Sequence, residues 1–408
     1  MTELAQSSRT QPQQAAFPMQ RTCPYAPPPG YDRYVEGRAT YVELAHTGQH
    51  VWVLSRYDDI RAMLTDPRFS SDRFNPGFPQ LFRDGRQRKP TLRPSLIGMD
   101  APEHGPARRS VVGEFTVKRM KALQPRIQEI VDQQLDAMLA GDKPADLVSA
   151  LSLPVPSLVI CELLGVPYSD HDFFQKHSSR ILNREATADE RQQSVGEMQQ
   201  YLSRLVSAKE AEPADDLLSR QIAKKREEGS YLHEDLVSLA FLLLIAGHET
   251  TANMISLGTV ALLENPDSLA AIKADPGKTL DAIEELLRYF TIAEPATSRV
   301  ALEDVEIAGV TVRAGEGVIG LSYAANFDTD VFAEPERFDI TRGDRHHIAF
   351  GFGAHQCLGQ NLARMELQIV FDTLFRRVPT LQLAAPVEQL PFKHDSGVFG
   401  LYCLPVTW

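Results

Sequence analysis

The stretch FGFGAHQCLG at residues 350–359 decides how this chain is interpreted. Residues 360–367 continue it with helix-favouring side chains, so Cys357 is predicted to lie where a glycine-rich loop enters a helix. Unpaired N–H groups and the positive end of the helix dipole gather at such a point, which predicts a lowered pKa for the Cys357 thiol. Because Gly359 has no side chain, we expect a broad, flat ligand to reach that sulfur.

The spacing of this motif bears on two interpretations of Cys357. A lone cysteine in a glycine-rich turn is usually a small buried hydrophobe. A tight loop that presents a thiolate to a planar ligand, in contrast, suits the iron of a haem. The pattern Phe-x-x-Gly-x-His-x-Cys-x-Gly, from Phe350 to Gly359, resembles the long and specific haem-binding signature of the cytochrome P450 superfamily at every fixed position, and this resemblance implies the haem-thiolate interpretation.

The composition is that of a globular protein and argues against other classes. The 408 residues carry a formal net charge of -12, and a general nucleic-acid-binding protein needs a basic face instead. The four cysteines are scattered without a C-x-x-C pair, which favours a reducing compartment. Residues 1–17 lack the apolar core of a signal peptide, and the longest apolar run, residues 239–246, is far shorter than the roughly 20 residues that span a bilayer. We therefore expect a cytoplasmic protein that does not enter a membrane.

The pattern along the chain predicts one large, mainly α domain with small β-sheets. Residues 1–30 are predicted to form a flexible lead, and residues 31–408 a single domain. The predicted elements are strands at 51–54, 305–307, 310–312 and 318–322, a helix at 57–64, amphipathic helices between 117 and 232, an extended segment at 292–297 and a hairpin tip at 397–400. Residues 68–98 are predicted to form a loop over a ligand pocket. No Gly-x-Gly-x-x-Gly follows a strand, so the chain is not expected to carry its own nicotinamide or flavin domain.

A second candidate site lies within the longest uninterrupted helical pattern, residues 233–265. The first half of this pattern is apolar nearly all round, which predicts a buried helix, yet residues 246–251 read AGHETT. Thr250 can hydrogen-bond to a carbonyl one turn back, and Glu249 adds an ionisable group whose burial requires partners. Such breaches of local rules favour a functional site, although an ordinary buried threonine would also explain Thr250.

Two pairs of charged side chains are weaker signals. Glu285 and Arg288 lie three residues apart on a predicted helix, so they can form an ion pair on one face. His104 and Arg108 lie four residues apart and can together bind a carboxylate or a phosphate. Taken alone, either pair is just as well explained by a solvated helix face.

As a set, these motifs resemble the cytochrome P450 superfamily over nearly the whole chain. The residues that match its cysteine-loop signature and its distal oxygen-activation motif are Phe350, Gly353, His355, Cys357 and Gly359, and Ala246, Gly247, Glu249 and Thr250. The resemblance implies the cytochrome P450 fold, an α-rich triangular prism around a buried haem b. The residues that it implies to bind the haem propionates are His104, Arg108, Arg299 and His355. It also implies that Arg337 joins Glu285 and Arg288 in a structural lock.

Within the superfamily the chain resembles the soluble actinobacterial enzymes that hydroxylate statins, vitamin D, macrolides and xenobiotics. The segments that carry this likeness are RTCPY at 21–25, SSDR at 70–73 and APEH at 101–104. The implied substrate is a fairly large, mostly apolar small molecule. The implied pocket residues are Phe78, Leu243, Ala246, Ile292, Ala293 and Val398.

The implied activity is monooxygenation with O₂ as the co-substrate. Cys357 would bind the iron, and Thr250 and Glu249 would deliver protons for oxygen activation. Electrons would come from a ferredoxin and its NAD(P)H-dependent reductase, received at a basic patch formed by Arg109, Arg345 and Arg364. We expect the protein to be a monomer.

Two alternatives remain open at the level of the sequence. A peroxide-driven peroxygenase on the same fold would not need the pair formed by Glu249 and Thr250. A haem-based gas or redox sensor would need no oxygen-activation motif and would usually carry an output domain.

Overall fold

The computed structural model describes residues 17–19, 21, 25–28, 30–82 and 93–408. Most of the predicted lead, and part of the predicted loop at 68–98, therefore lie outside the described residues. Four residues among the described part of the predicted lead pack against the domain. Phe17 is buried and forms a bridge with Leu44, and Arg21 donates hydrogen bonds to two backbone carbonyls near residue 290. Met19 and Tyr25 pack against core clusters. At these positions the lead is attached to the domain.

Helices make up most of the described chain, as predicted. They are α1 Asp32–Gly37, α2 Tyr57–Thr65, α3 His104–Val112, α4 Val117–Ala140, α5 Pro154–Leu164, α6 His171–Leu182, α7 Ala188–Ala211, α8 Leu217–Glu227, α9 His233–Glu264, α10 Pro266–Ala274, α11 Thr279–Phe290, α12 Ser322–Ala325 and α13 Gln360–Arg377. Side-chain caps fix several starts: Thr187 and Glu190 form a capping box at α7, and Asp216 accepts from the N–H of Ser219 at α8. The predicted helices at 57–64, 117–232 and 233–265 are confirmed.

Helix α9 is the centre of the helical part. It packs against α5, α7, α11 and α13, and most of its side chains are buried. Its length and apolar composition would suffice to cross a membrane, but 61% of its most apolar window is buried inside the fold. It is therefore the core helix that its all-round apolar pattern predicts.

Three small sheets complete the described part of the fold. Their strands are β1 Ala39–Glu43, β2 His50–Leu54, β3 Phe69–Ser70, β4 Ala145–Asp146, β5 Ser298–Ala301, β6 Val305–Ile307, β7 Val310–Val312, β8 Gly317–Gly320, β9 Gln382–Leu383 and β10 Pro405–Thr407. The largest sheet has the order β1-β2-β8-β5-β3, with β2 and β8 parallel and the other pairs antiparallel. Strands β4, β10 and β9 form the second sheet, and β6 and β7 form a hairpin. The predicted strands are confirmed, the last of them shifted to β8.

The predicted extended segment at 292–297 is wrong. Residues Glu294–Thr297 form a 3₁₀ turn, in which the amide N–H of Ala296 donates to the carbonyl of Ala293 and Thr297 Oγ1 donates to the carbonyl of Glu294. A proline in the first turn suits such a start because its φ is already helical. The chain thus turns sharply before it enters β5.

A second turn lies near the C-terminal end of the described chain. Residues 392–401 form a loop, here called the terminal loop, which is closed by a bridge between Phe392 and Leu401. The amide N–H of Lys393 donates to the carbonyl of Gly400, and the rings of Phe392 and Phe399 stack at 5.7 Å. The predicted hairpin tip at 397–400 falls within this loop.

Candidate functional site

The loop around Cys357 is held by its own backbone and by α2. The amide N–H of Cys357 donates to the carbonyl of Phe350 at 2.8 Å, which closes the loop just before α13 begins. Gly353 has φ +72° and a methyl group added to it would lie 2.9 Å from the carbonyl oxygen of Leu64, so only glycine fits there. A methyl group added to Gly359 would meet nothing within 4 Å. The space beside Gly359, two residues after the cysteine, is therefore free.

The prediction that the pKa of Cys357 is lowered is wrong as far as the protein's own groups are concerned. Burial raises the pKa of this thiol, whereas the N–H of Gly359 and the charges of Arg108 and Arg364 only partly oppose that effect. Desolvation therefore outweighs the field of the helix start. A thiol in this position loses its proton most readily when a cation binds it directly.

Four predicted ligands of the haem propionates converge beside this loop. The rings of His104, from α3, and His355 stack with their centroids 4.1 Å apart. Arg108 donates to the carbonyl of Gln356 at 2.5 Å, and Arg299, from β5, is buried. Elements far apart in the sequence thus bring these side chains to one place.

The electrostatics of this cluster call for an anion. Burial, followed by the charges of Arg299 and His104, lowers the pKa of His355 to about 3, and burial lowers the pKa of Arg299 to about 10. Asp100 opposes both shifts, but its single carboxylate cannot balance the two guanidinium charges of Arg299 and Arg108. Among the described residues, His104 Nε2 is buried without a hydrogen-bond partner. Such a donor set fits a ligand with two carboxylate groups.

The middle of α9 has the local geometry that its sequence predicts. Ala246 is exposed, whereas Leu243, Leu244, His248 and Glu249 near it on the helix are buried, so the helix has an open position at Ala246. Thr250 Oγ1 donates to the carbonyl of Ala246 at 2.7 Å, which is the expected bond one turn back. Thr250 itself is partly exposed on this helix. The alcohol and the open position therefore lie one turn apart on the same helix.

Glu249 is buried and paired. Its Oε2 accepts from Lys393 Nζ at 3.0 Å and lies 3.4 Å from Asn253 Nδ2. Burial alone would raise the pKa of Glu249, but attraction to Lys393 and His248 and the two hydrogen bonds hold it below the ordinary value. The sequence predicted Glu249 but missed Lys393, which lies 144 residues away in the terminal loop.

The structure brings some of the predicted substrate-pocket residues together. Leu243 and Val398 are buried, Ile292 and Ala293 are partly exposed, and the carbonyl of Ile292 accepts from the amide N–H of Phe399 at 3.0 Å. The segment that holds Ile292 and Ala293 therefore contacts the terminal loop that holds Val398. Phe78 lies next to Gln49, the residue before β2: its carbonyl accepts from Gln49 Nε2, and its ring is 5.9 Å from the guanidinium of Arg73. These contacts do not place Phe78 beside α9.

The structural lock forms with a different third member. Arg288 Nε and Nη2 both donate to the Glu285 carboxylate at 2.8 Å, and both side chains are buried. The prediction that Arg337 joins them is wrong, because Arg337 is exposed and pairs with Asp339 at 2.7 Å. Arg342 takes that place, with Nε 3.3 Å from Glu285 Oε2. The backbone N–H of Asp339, which lies between Arg337 and Arg342 in the chain, donates to Glu285 Oε1.

A neighbouring network ties α11 to the cysteine loop. Glu284 accepts from Arg364 Nε at 2.5 Å and lies 3.0 Å from His347 Nε2. Burial would raise the pKa of Glu284, but these partners lower it to about 2. The guanidinium of Arg364 also lies 4.7 Å from the ring of Phe350. The sequence missed this network, since its members are dispersed and individually unremarkable.

The predicted basic patch is weaker than its three arginines suggest. Arg364 is neutralised by Glu284, and Arg345 is exposed but lies 3.7 Å from Asp281. Arg109 is exposed on α3. Only part of the expected positive charge therefore faces solvent without an acidic neighbour close by.

Donor groups suited to two carboxylates, next to a loop that presents a buried thiol, meet the needs of a haem with a cysteine ligand. The fold and the site thus define the class of haem-thiolate proteins. The chain belongs to the cytochrome P450 family, whose model matches residues 162–276 and 278–396. Enzymes of this family are monooxygenases that use haem b and O₂.

The similarity to individual P450 proteins extends over almost the full length. The chain is 51% identical over 396 residues to pentalenic acid synthase of Streptomyces avermitilis, covering 96% of this chain and 97% of that protein. It is 46% identical over 416 residues to vitamin D3 dihydroxylase of Streptomyces griseolus, covering 100% of both chains. The crystal structure of cytochrome P450 MoxA from Nonomuraea recticatena superposes with a TM-score of 0.89 at 57% identity, covering 97% of this chain and 98% of that chain. The chain is thus a bacterial-type P450 monooxygenase similar to enzymes that act on secondary metabolites.

Proposed function

We propose that this monooxygenase hydroxylates a fairly large, mostly apolar small molecule, of statin, macrolide or sterol type, with electrons from a ferredoxin and its NAD(P)H-dependent reductase. The observation that carries the oxygen-activating role is the distal helix. Glu249 is held ionised in a buried pair, and Thr250, the next residue, is partly exposed one turn from the open position at Ala246.

The cofactor site is assigned to residues that meet around the cysteine loop. Cys357 is the proposed iron ligand, and Phe350, Ala246 and Gly359 are proposed to border the macrocycle. His104, Arg108, Arg299 and His355 are proposed to bind the propionates, because their charges and donors converge where little anionic charge offsets them. When bound, the haem supplies the activation of O₂ that allows one oxygen atom to be inserted into a C–H bond.

The chain's own part in that reaction is to hold and move protons. Glu249 can bind a proton and release it through its side chain, while Lys393 keeps the carboxylate charged and oriented between turnovers. Thr250 currently donates to the carbonyl of Ala246. By turning its hydroxyl it can accept a proton from the Glu249 side and donate one toward the open space at Ala246.

The proposed substrate class rests on the residues near that space and on the relatives. Leu243, Ile292, Ala293 and Val398 are apolar, and apolar walls favour a largely apolar ligand. Relatives of high identity are named for pentalenic acid and vitamin D3. We infer that the present substrate is of comparable apolar character.

Electron delivery and location complete the proposal. The residues of the proposed docking patch are Arg109 and Arg345, with Arg364 acting mainly in the Glu284 network. We propose a monomeric protein. We also propose a cytoplasmic location, because, within the described residues, the helix that is long and apolar enough to span a membrane forms the core of the fold.

Two measurements test this function. The reduced protein with carbon monoxide is expected to show the red-shifted Soret band diagnostic of thiolate ligation, and a histidine-type spectrum would rule out Cys357 as ligand. With ferredoxin, reductase and NAD(P)H, we expect O₂ uptake that depends on substrate. Turnover with peroxide alone would instead indicate a peroxygenase, and binding of gas without any turnover would indicate a sensor.

A further inference from the structure

A small cavity adjoins the buried carboxylate of Glu249. Its volume is about 10 Å³, which is close to the room that one water molecule needs. Ser179 and Tyr402 line this cavity and are exposed, whereas Glu249 and Lys393 line it and are buried. The lining therefore includes side chains that reach solvent as well as the pair that contains the proposed proton donor.

Several groups beside the cavity can still form hydrogen bonds. Among the described residues, both hydrogen bonds to Glu249 end on Oε2, from Lys393 Nζ at 3.0 Å and from Asn253 Nδ2 at 3.4 Å, so Oε1 can accept another. Lys393 Nζ uses one of its N–H donors for Glu249 and has others to offer. Ser179 and Ser396 add two hydroxyl-bearing side chains to the lining. A buried water needs about two to four polar partners, and this cavity supplies them.

The part of the lining that reaches solvent carries an alcohol and an acid. Tyr402 Oη donates to Asp395 Oδ1 at 2.6 Å, and Asn183 Nδ2 donates to Asp395 Oδ2 at 3.1 Å. Tyr402 and Asn183 line the cavity, and Asp395 is partly exposed. Burial, the hydrogen bond to Asp395 and the charges of Asp395 and Glu249 raise the pKa of Tyr402, so this phenol keeps its proton at neutral pH. A protonated phenol can accept a proton at its oxygen while it releases its own.

The proposed reaction requires a supply of protons to this place. When one oxygen atom of O₂ enters the substrate, the other leaves as water, so each turnover takes up a pair of protons together with a pair of electrons from the ferredoxin. Glu249 is buried and cannot exchange protons with bulk solvent directly. A route from the surface to its carboxylate is therefore needed.

We propose that this cavity is the inlet through which protons reach Glu249, with Asp395 and Tyr402 at its entrance and a bound water molecule as the carrier. This inference rests on the proposed function and names further residues for its proton supply. Asp395 takes a proton from solvent and gives it to the oxygen of Tyr402. Tyr402 releases its own proton to the water, and the water releases one to Glu249 Oε1. Only O–H bonds are made and broken, and Asp395 is a carboxylate again at the end.

The kinetic test changes the inlet and leaves Glu249, Lys393 and Thr250 in place. Tyr402→Phe removes the relay oxygen, and Ser179→Leu fills the cavity. The holoenzymes are assayed with ferredoxin, reductase, NADPH and whichever of vitamin D3, a macrolide lactone or a statin gives the fastest O₂ uptake with the wild type. We expect kcat to fall by about tenfold in both variants, and its solvent deuterium isotope effect to rise, because proton transfer then limits the rate. KM should stay unchanged, because neither residue is assigned to the substrate pocket.

Ser207→Leu is the matched control, because Ser207 is an exposed serine on α7 that does not line the cavity. Its kcat and isotope effect should equal those of the wild type. A crystal structure of the holoenzyme gives a measurement without turnover. We expect an ordered water in the cavity within hydrogen-bond distance of Glu249, and its loss in Ser179→Leu. The spectrum with carbon monoxide checks that each variant retains its fold and thiolate ligation.

The inference is wrong if the cavity of the wild type is dry, or if Tyr402→Phe and Ser179→Leu turn over at the wild-type rate with an unchanged isotope effect. If Thr250→Ala nevertheless uncouples O₂ uptake from product, the proposed function stands and Glu249 receives its protons by another route. A wild-type enzyme without substrate-dependent O₂ uptake would reject the proposed function itself, and the inlet with it.

Discussion

Lys393 Nζ lies 3.0 Å from Glu249 Oε2, and both side chains are buried. The pair joins the middle of the core helix α9 to the terminal loop, 144 residues further along the chain. Glu249 and Lys393 also line a small cavity together with Ser179, Asn183, Ser396 and Tyr402. The terminal loop therefore pairs with the proposed proton donor, Glu249, and also contacts the segment of Ile292 and Ala293 that is assigned to the substrate pocket.

Replacing Lys393 by Met should raise the pKa of Glu249, because burial then acts without its main opposing charge. We expect the infrared band of a protonated carboxyl group to appear at neutral pH, and to be absent when Glu249 is replaced by Gln in the same background. Loss of one partner of a buried pair should also cost roughly 3 kcal/mol of unfolding free energy. Lys393→Arg keeps the charge and serves as the control; a Met variant without the new band would contradict the assignment.

Thr250→Ala should uncouple electron use from product formation, since the hydroxyl next to Glu249 is lost. We expect product formed per O₂ consumed to fall by about tenfold or more, with peroxide released instead. Thr259→Ala is a matched control, because Thr259 Oγ1 makes the same kind of bond, to the carbonyl of Ile255 at 2.8 Å, on the same helix. Equal coupling in both variants would remove Thr250 from the proton path.

The two candidate arginines of the structural lock can be separated by stability. Arg342→Ala should lower the unfolding free energy by about 1–3 kcal/mol, because it leaves Glu285 short of a buried hydrogen bond. Arg337→Ala should change it by about 0.5 kcal/mol or less, since its ion pair is exposed. Denaturant titration of both holoproteins measures the difference, and the reverse order of effects would restore Arg337 to the lock.

The Glu284 network predicts a loss of stability in acid. The pKa of Glu284 is about 2 in the folded protein, against 4.5 for an unperturbed glutamate. A carboxyl group whose pKa is lower in the folded state stabilises the protein fully when the pH is above its pKa in the unfolded state. That stabilisation is lost as the pH falls through its pKa in the folded state. This contribution is roughly 3 kcal/mol at neutral pH. The wild-type protein should lose this contribution to its unfolding free energy between about pH 4.5 and 2, whereas Glu284→Gln should not show that loss. Unfolding at a series of pH values measures the difference. The same fall in unfolding free energy in both proteins would contradict the prediction.

Features with a local cause were predictable from the sequence. The cysteine loop, the bond from Thr250 to Ala246 and the pair of Glu285 with Arg288 each depend on residues within one or two turns. The partners that the sequence did not reveal lie far away: Arg342 is 57 residues from Glu285, and His347 is 63 residues from Glu284. The resemblance implies Arg337 as the third member of the lock, but Arg342 contacts Glu285 instead, and the backbone N–H of Asp339, between these two arginines, donates to the same carboxylate. The predicted lowering of the Cys357 pKa fails for a related reason, because the burial of a side chain depends on the whole fold whereas a helix start can be predicted from the local sequence.

Glu284 and Glu285 are adjacent in α11, yet they contact different parts of the fold. Glu284 pairs with Arg364, beside the cysteine loop, and Glu285 pairs with Arg342. The position of the cysteine loop therefore depends on contacts with α11, a helix outside the proposed substrate pocket. The segments assigned to that pocket belong to α9, to the turn after α11 and to the terminal loop. Substitutions in those segments can therefore change the substrate specificity of such an enzyme without changing the position of Cys357, the proposed iron ligand.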